Sequence, residues 1–325
     1  MANPSTLRDV TGTVSLDDAA STAAAVDAIL ARTYGAASFD RNLLHSTFAF
    51  IERLFAGSQP GYLRCDMPYH DLRHSLDAAL VMARLVDGCR VDGCDGSLEP
   101  DLGLTAVLLA LMHDTGFLRT AAEASRRGPE FAAVHETRGA TFAEGYLRGT
   151  SLAKHAVLAP LIMATRMASP PAPVFDAHTG PAVTIGRMLG SADLLCQVAD
   201  RRYLERCYHH LYPELVVGGG DRARNADGTD KLLFRDARDL LAHTPAFHEH
   251  VVGPRLARDF ANVARHLATH FGGADPYAAS MQDNLERCRR IVAGNRWDLL
   301  AGPPPTTTRE LDPVYRLAPP ASGER

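Results

Sequence analysis

Apolar residues recur every three or four positions through most of this chain, and no stretch shows the alternation of β-branched residues that a strand requires. In LLHSTFAFIERLFAG the set Leu44, Phe48, Ile51 and Phe55 falls on one helical face. The same period runs through about 72–87, 104–113, 131–148, 152–167, 182–215, 231–242, 255–271 and 277–293, with Gly and Pro between. Asp17 and Asp18 open a further helix through STAAAVDAILARTYG. The expectation is an all-α fold with almost no sheet. Residues 1–15 read as a flexible tail, 16–300 as a single helical domain, and the Pro-rich segment 301–325, AGPPPTTTRELDPVYRLAPPASGER, as a disordered tail.

Charge and composition narrow the partners. Lys and Arg number 34 against 38 Asp and Glu, a net charge of −4, so a nucleic-acid polymer is not the expected ligand. No apolar run approaches the roughly 20 residues of a membrane span, and the N-terminus MANPSTLRDVTG lacks the pattern of a secretory signal. Six cysteines in 325 residues are too sparse for a disulfide framework. Cys89 and Cys94 stand five apart, without the second close pair of a zinc knuckle. These features predict a cytoplasmic, mostly reduced protein, and a homo-oligomer is compatible with them.

Three segments carry chemistry. In Tyr69-His70-Asp71-Leu72-Arg73-His74-Ser75-Leu76-Asp77, His70 and His74 are four apart and share a face if the segment is helical. Asp77, three further on, is placed to orient His74. The run Leu104–Met112, apolar except for Thr105, ends in His113-Asp114-Thr115-Gly116. A carboxylate at the end of so apolar a helix is costly unless a cation or strong donors compensate it. Asp193 raises the same question between Ala192 and Leu194. Two imidazoles and two carboxylates, His74, His113, Asp114 and Asp193, make a mixed N/O donor set suited to Zn, Fe, Mn or Mg.

This H…HD…D order on a helical scaffold resembles the HD metal-dependent phosphohydrolase superfamily. Within it, Y-H-x-x-x-H-x-x-D at 69–77 resembles the signature of the class I 3′,5′-cyclic-nucleotide phosphodiesterases. MATRMAS (163–169), SADLLCQ (191–197) and FAAVHETRGATFAEGYL (131–147) are similar to further segments of that family. The resemblance covers about residues 62–210. HDTGFLR, ADLLCQVADRRYLE and ADPYAASMQDNL also resemble bacterial HD-domain proteins of unassigned role.

The resemblance implies an HD-type bundle with two divalent ions, Zn, Mn or Mg, or Fe. His74, His113, Asp114 and Asp193 would hold the tighter ion, and Asp114 would bridge to a second. His135 or Asp77 would support the pair, and His70 would protonate the leaving oxygen. The implied substrate is a small phosphorylated metabolite or nucleotide. The pattern departs from the family at Phe117, where a histidine is usual, and at Arg166, where aspartate is usual. No glutamine with an aromatic clamp for a purine is found; Gln282 lacks that setting.

Two other readings use the same residues. With His135 and His155 added, the set becomes the six ligands of an HD-type di-iron oxygenase. With Arg166 turned inward to hold a phosphate, the altered site becomes that of a nucleotide-binding regulator. His209-His210, the group His243, His248 and His250, and the run Arg287, Arg289 and Arg290 read as surface. There is no P-loop, dinucleotide-binding glycine pattern or G-x-S-x-G elbow.

Overall fold

Carboxylates start the helices. Asp18, Asp40, Asp71, Asp236 and Asp275 each accept a hydrogen bond from a backbone N–H in the first turn that follows, satisfying donors that the helix leaves open. The computed structural model describes residues 7–94, 98–224, 229–308 and 311–315. The chain is all-α, with α1 Ala19–Tyr34, α2 Arg41–Phe55, α3 Leu72–Asp92, α4 Pro100–Met112, α5 His135–Arg148, α6 Ala172–Asp176 and α7 Pro181–Val198. After these come α8 Tyr203–Arg206, α9 Tyr212–Gly218, α10 Ala237–Phe247, α11 His266–His270 and α12 Pro276–Gly294.

α3 is the axis of the molecule. It packs against α1, α4, α7 and α11, and every residue from Leu72 to Cys89 is buried. A helix buried all round must pair its charges internally. Arg73 meets Asp200 at 2.5 Å and Arg84 meets Asp9 at 2.7 Å. Asp87 takes Arg32 and His270, each at 2.6 Å. α4 contributes the most apolar wall, with Leu104 to Met112 fully enclosed.

Several expectations change. The segment Ala153–Thr165 is a 3₁₀ rather than an α-helix; Pro160 within it has no N–H for an α-helical bond. The helix expected over 182–215 is interrupted after Val198, where Asp200 accepts the Arg202 N–H and pairs with Arg73. Arg222–Arg224 and Asp230–Leu232 form a small exposed antiparallel hairpin, so the helix expected from 231 starts only at Ala237.

The expected tails are partly built into the fold. Leu7 and Asp9 are buried. Thr306 Oγ1 donates to Asp71 at 2.7 Å, the Thr307 N–H donates to the same oxygen at 2.8 Å, and Thr308 Oγ1 donates to the Met67 carbonyl at 2.6 Å. Tyr315 is buried. Residues 1–6, 309–310 and 316–325 of those segments lie outside the described residues. Cys89 and Cys94 are joined as a disulfide, a pairing the sequence did not single out, whereas Cys65, Cys196, Cys207 and Cys288 are free and buried. Among the described residues no helix is long and apolar enough to cross a membrane.

Candidate metal centre

Each donor is set by a different local device. The Asp71 cap starts α3 at Leu72 and leaves His74 in its first turn, its N–H held by Asp71. His113 follows the last residue of α4. At Asp114 the backbone leaves the helix (φ −97, ψ 4) into a 3₁₀ turn, Thr115–Phe117. That turn brings the Asp114 carboxylate back over His113, which adjacent positions on a straight helix, about 100° apart, do not allow so directly. Asp193 faces the same point from the middle of α7.

The result is a convergence of four donors. His74 Nε2 lies 3.1 Å from His113 Nε2, 3.3 Å from Asp114 Oδ2 and 3.2 Å from Asp193 Oδ1. His113 Nε2 lies 3.3 Å from Asp114 Oδ2 and 3.5 Å from Asp193 Oδ1. Ligands about 2.0–2.2 Å from one ion in tetrahedral or octahedral geometry stand about 3.0–3.5 Å apart, so the spacing fits a single small cation.

Two further observations support that fit. Asp114 Oδ2 is buried and has no hydrogen-bond partner, a costly state that a cation removes. His113 Nδ1 donates to the Ala110 carbonyl at 2.7 Å, which leaves the Nε2 lone pair directed at the carboxylates. His74, His113 and Asp114 therefore form a group able to hold a metal ion, and His74 and Asp193 form a second such group with Cys196.

The electrostatics point the same way. Burial opposes charge on His113, but Asp114 and Asp193 outweigh it and raise its pKa to about 10. Burial is likewise overcome at Asp114, which His113 and His74 hold well below the usual carboxylate range. Without a cation, protons on the imidazoles neutralise the carboxylates.

Cys196 does for His74 what the sequence assigned to Asp77. Its sulfur lies 3.4 Å from His74 Nδ1, while the thiol donates to the Asp193 carbonyl at 3.2 Å. Burial pushes this thiol up to about 12, so it stays protonated. Its position three residues after Asp193 on α7 was the available signal. Asp77 is buried among Arg73, Asp200, Asp9 and Arg84, with Oδ1 unpartnered, and makes no hydrogen bond to His74.

His70 differs from expectation in its support. It precedes the helix cap and so is not on α3 with His74, although their rings are 5.7 Å apart. Glu214 on α9 holds it: Oε2 lies 2.6 Å from His70 Nδ1, while Oε1 accepts the backbone N–H of Tyr69 at 2.5 Å and of His70 at 3.2 Å. Glu214 was missed in the sequence, although a glutamate between Pro213 and Leu215 poses the same burial problem as Asp193. Gln197 donates to Asp193 at 2.7 Å and accepts from the Tyr69 hydroxyl at 3.1 Å, tying the His70 segment to the donor set.

His135, first residue of α5, faces the other oxygen of Asp114 at 3.7 Å, with its Nδ1 donating to the Ala132 carbonyl. Two glycines permit this approach. A Cβ on Gly116 would stand 1.8 Å from the His135 carbonyl oxygen, and one on Gly139 would stand 2.6 Å from that of His113. Phe117 is stacked between the imidazoles, 3.9 Å from the His135 ring and 5.0 Å from the His70 ring. It orients both rings and ligates nothing.

Other expected residues lie outside the donor set. Arg166 pairs at 3.1 Å with a Glu136 oxygen that itself lies 3.5 Å from His135 Nδ1. His155 follows Lys154, which pairs with Asp101 at the first turn of α4, 13 residues (114 − 101) and therefore roughly 20 Å along the helix from Asp114. The structure thus does not bring His155 to the site. His210 and His248 are buried rather than on the surface, and Arg287 is bound to buried Glu205. No protein-family model matches this chain, and no curated protein matches it.

Proposed function

We propose that this protein is a metal-dependent phosphohydrolase of the HD type that cleaves a phosphodiester, with cyclic nucleotides the first substrates to test. The observation that carries the reading is the unpartnered Asp114 Oδ2 beside two imidazoles and a second carboxylate at ligand spacing, with the His70–Glu214 pair next to them.

His74, His113, Asp114 and Asp193 would hold a divalent ion, which would supply positive charge against a phosphoryl group and acidify a bound water. Asp114 Oδ1 and His135 are the residues that would take a second ion. Glu214 accepts the Nδ1 proton of His70, which leaves Nε2 facing outward to give a proton to a departing alkoxide. Phe117 holds that ring against rotation. His70 is about one-fifth exposed, whereas His113 and Asp114 are sealed, so a substrate approaches from the His70 side.

The test is hydrolysis of a p-nitrophenyl phosphodiester and of 3′,5′-cyclic AMP and GMP by Mn-loaded protein. Asp114→Ala is expected to abolish turnover of all three. His70→Ala is expected to cost about 10²- to 10⁴-fold on the cyclic nucleotides and far less on the p-nitrophenyl ester, whose leaving group needs no proton. Equal turnover by the wild type and Asp114→Ala would refute the reading. The six-ligand di-iron alternative, as drawn with His155, lacks one imidazole in this geometry.

A further inference from the structure

A second cluster of soft donors lies at the far end of α3, and the phosphohydrolase reading makes no use of it. From His74 to Cys89 the helix runs 15 residues (89 − 74), roughly 22 Å. Beyond Asp92, Gly93 adopts the left-handed conformation (φ 65) and turns the chain back, so that Cys94 meets Cys89 with a Cα separation of 5.4 Å.

His266, first residue of α11, packs on the same turn. A Cβ on Gly88 would stand 1.8 Å from the His266 carbonyl oxygen, so the two backbones touch. His266 is 1% exposed, and its Nδ1 is bonded to one carboxylate oxygen of Asp92. The other oxygen accepts from Thr269 Oγ1 at 2.8 Å. With Nδ1–H fixed on Asp92, the lone pair lies on Nε2, the arrangement in which carboxylate-backed histidines bind metals. Donor atoms of Cys89, Cys94 and His266 all lie within 4.8 Å of one another.

We propose that Cys89, Cys94 and His266 form a second metal site, for a thiophilic divalent ion such as Zn2+, available when the Cys89–Cys94 disulfide is reduced. Two thiolates and an imidazole are a zinc donor set with one position left for solvent. Reduction by a dithiol transfers two electrons and two protons: the S–S bond breaks, two thiols form, and the dithiol becomes its own disulfide. Zinc then replaces the two thiol protons. The turn at the end of α3 is therefore closed by a covalent bond when oxidised, and in the reduced state the metal would tie that turn to α11 through His266. This inference is independent of the phosphohydrolase reading.

The experiment is titration of the reduced full-length protein with Co2+, following the thiolate-to-cobalt charge-transfer absorption. It is run in a Cys196→Ser background, because Cys196 lies beside His74. The expected result is a charge-transfer band that disappears after oxidation to the disulfide and in the added Cys94→Ser variant. Adding His266→Gln instead is expected to weaken Co2+ binding at least ten-fold. No band in the reduced Cys196→Ser protein, or a band unchanged by Cys94→Ser, overturns the proposal. The oxidised Cys196→Ser protein needs no further substitution, so the comparison stands even where Cys94→Ser or His266→Gln fails to fold.

Discussion

Asp77 sits three residues past His74, where the sequence period alone would have it orient that histidine; packing gives it no such partner. Burial raises its pKa to about 7, against the opposing pull of Arg73. A carboxyl whose folded-state pKa is raised adds stability while protonated and loses it as pH climbs through that value. Asp77→Asn, which fixes the neutral form, is therefore expected to melt close to the wild type only near pH 3.5, below the unfolded carboxyl value. Near pH 8 it should be the more stable by up to about 4 kcal/mol. Thermal unfolding at the two pH values checks this; a variant less stable at both would refute it. For the donor histidines the pH dependence to follow is that of metal affinity. His113 is raised to about 10 by Asp114 and Asp193, so divalent ions compete with protons and affinity should rise with pH up to that region. Calorimetry in buffers of different ionisation enthalpy should show proton release near pH 7.5 on metal binding, and no release would count against the assigned donors. His74, His113, Asp114 and Asp193 were legible as residues because a charged group in an apolar helix demands a partner. Cys196 and Glu214 were not singled out, because their partners lie 122 and 144 residues away in sequence.

The elements that hold the site meet backbone to backbone. The Thr115–Phe117 turn and the start of α5 touch through Gly116 and Gly139, and Arg138 of α5 donates to the carbonyls of Gly116 at 2.8 Å and Leu118 at 3.0 Å. Gly116→Ala would place a methyl against the His135 carbonyl and force α5 outward. Expected are a stability loss of about 2–4 kcal/mol and weakened occupancy of any ion that needs His135. Unfolding and metal stoichiometry test this, and an Ala variant of wild-type stability would refute the assigned role of the contact. Helical period predicted α2, α3, α4 and α12 closely, and the start of α7. It failed where the chain broke the period without losing its apolar residues. The segment 153–165 tightened to 3₁₀ around Pro160, and the break after Val198 is held by the Asp200–Arg73 pair.

At the scale of the whole molecule, the C-terminal strap closes on the start of the central helix. Asp71 caps α3 with one oxygen and receives Thr306 and Thr307 on the other, so a segment more than 230 residues away in sequence steadies the turn between His70 and His74. Truncation after residue 300 is expected to lower the melting temperature by several degrees and to reduce phosphodiester turnover more than it reduces metal content. Unchanged turnover in the truncated chain would sink that assignment. Composition and helical period by themselves determined an all-α chain built round apolar helices and carrying a mixed N/O donor set, because these are properties of local spacing and of the cost of burying charge. Only the tertiary structure decided which donors converge, that Glu214 rather than a neighbour of His70 holds its ring, and that the described parts of both expected tails pack against the fold. Those outcomes depend on which distant groups each buried charge meets, and residue spacing along the chain does not encode them.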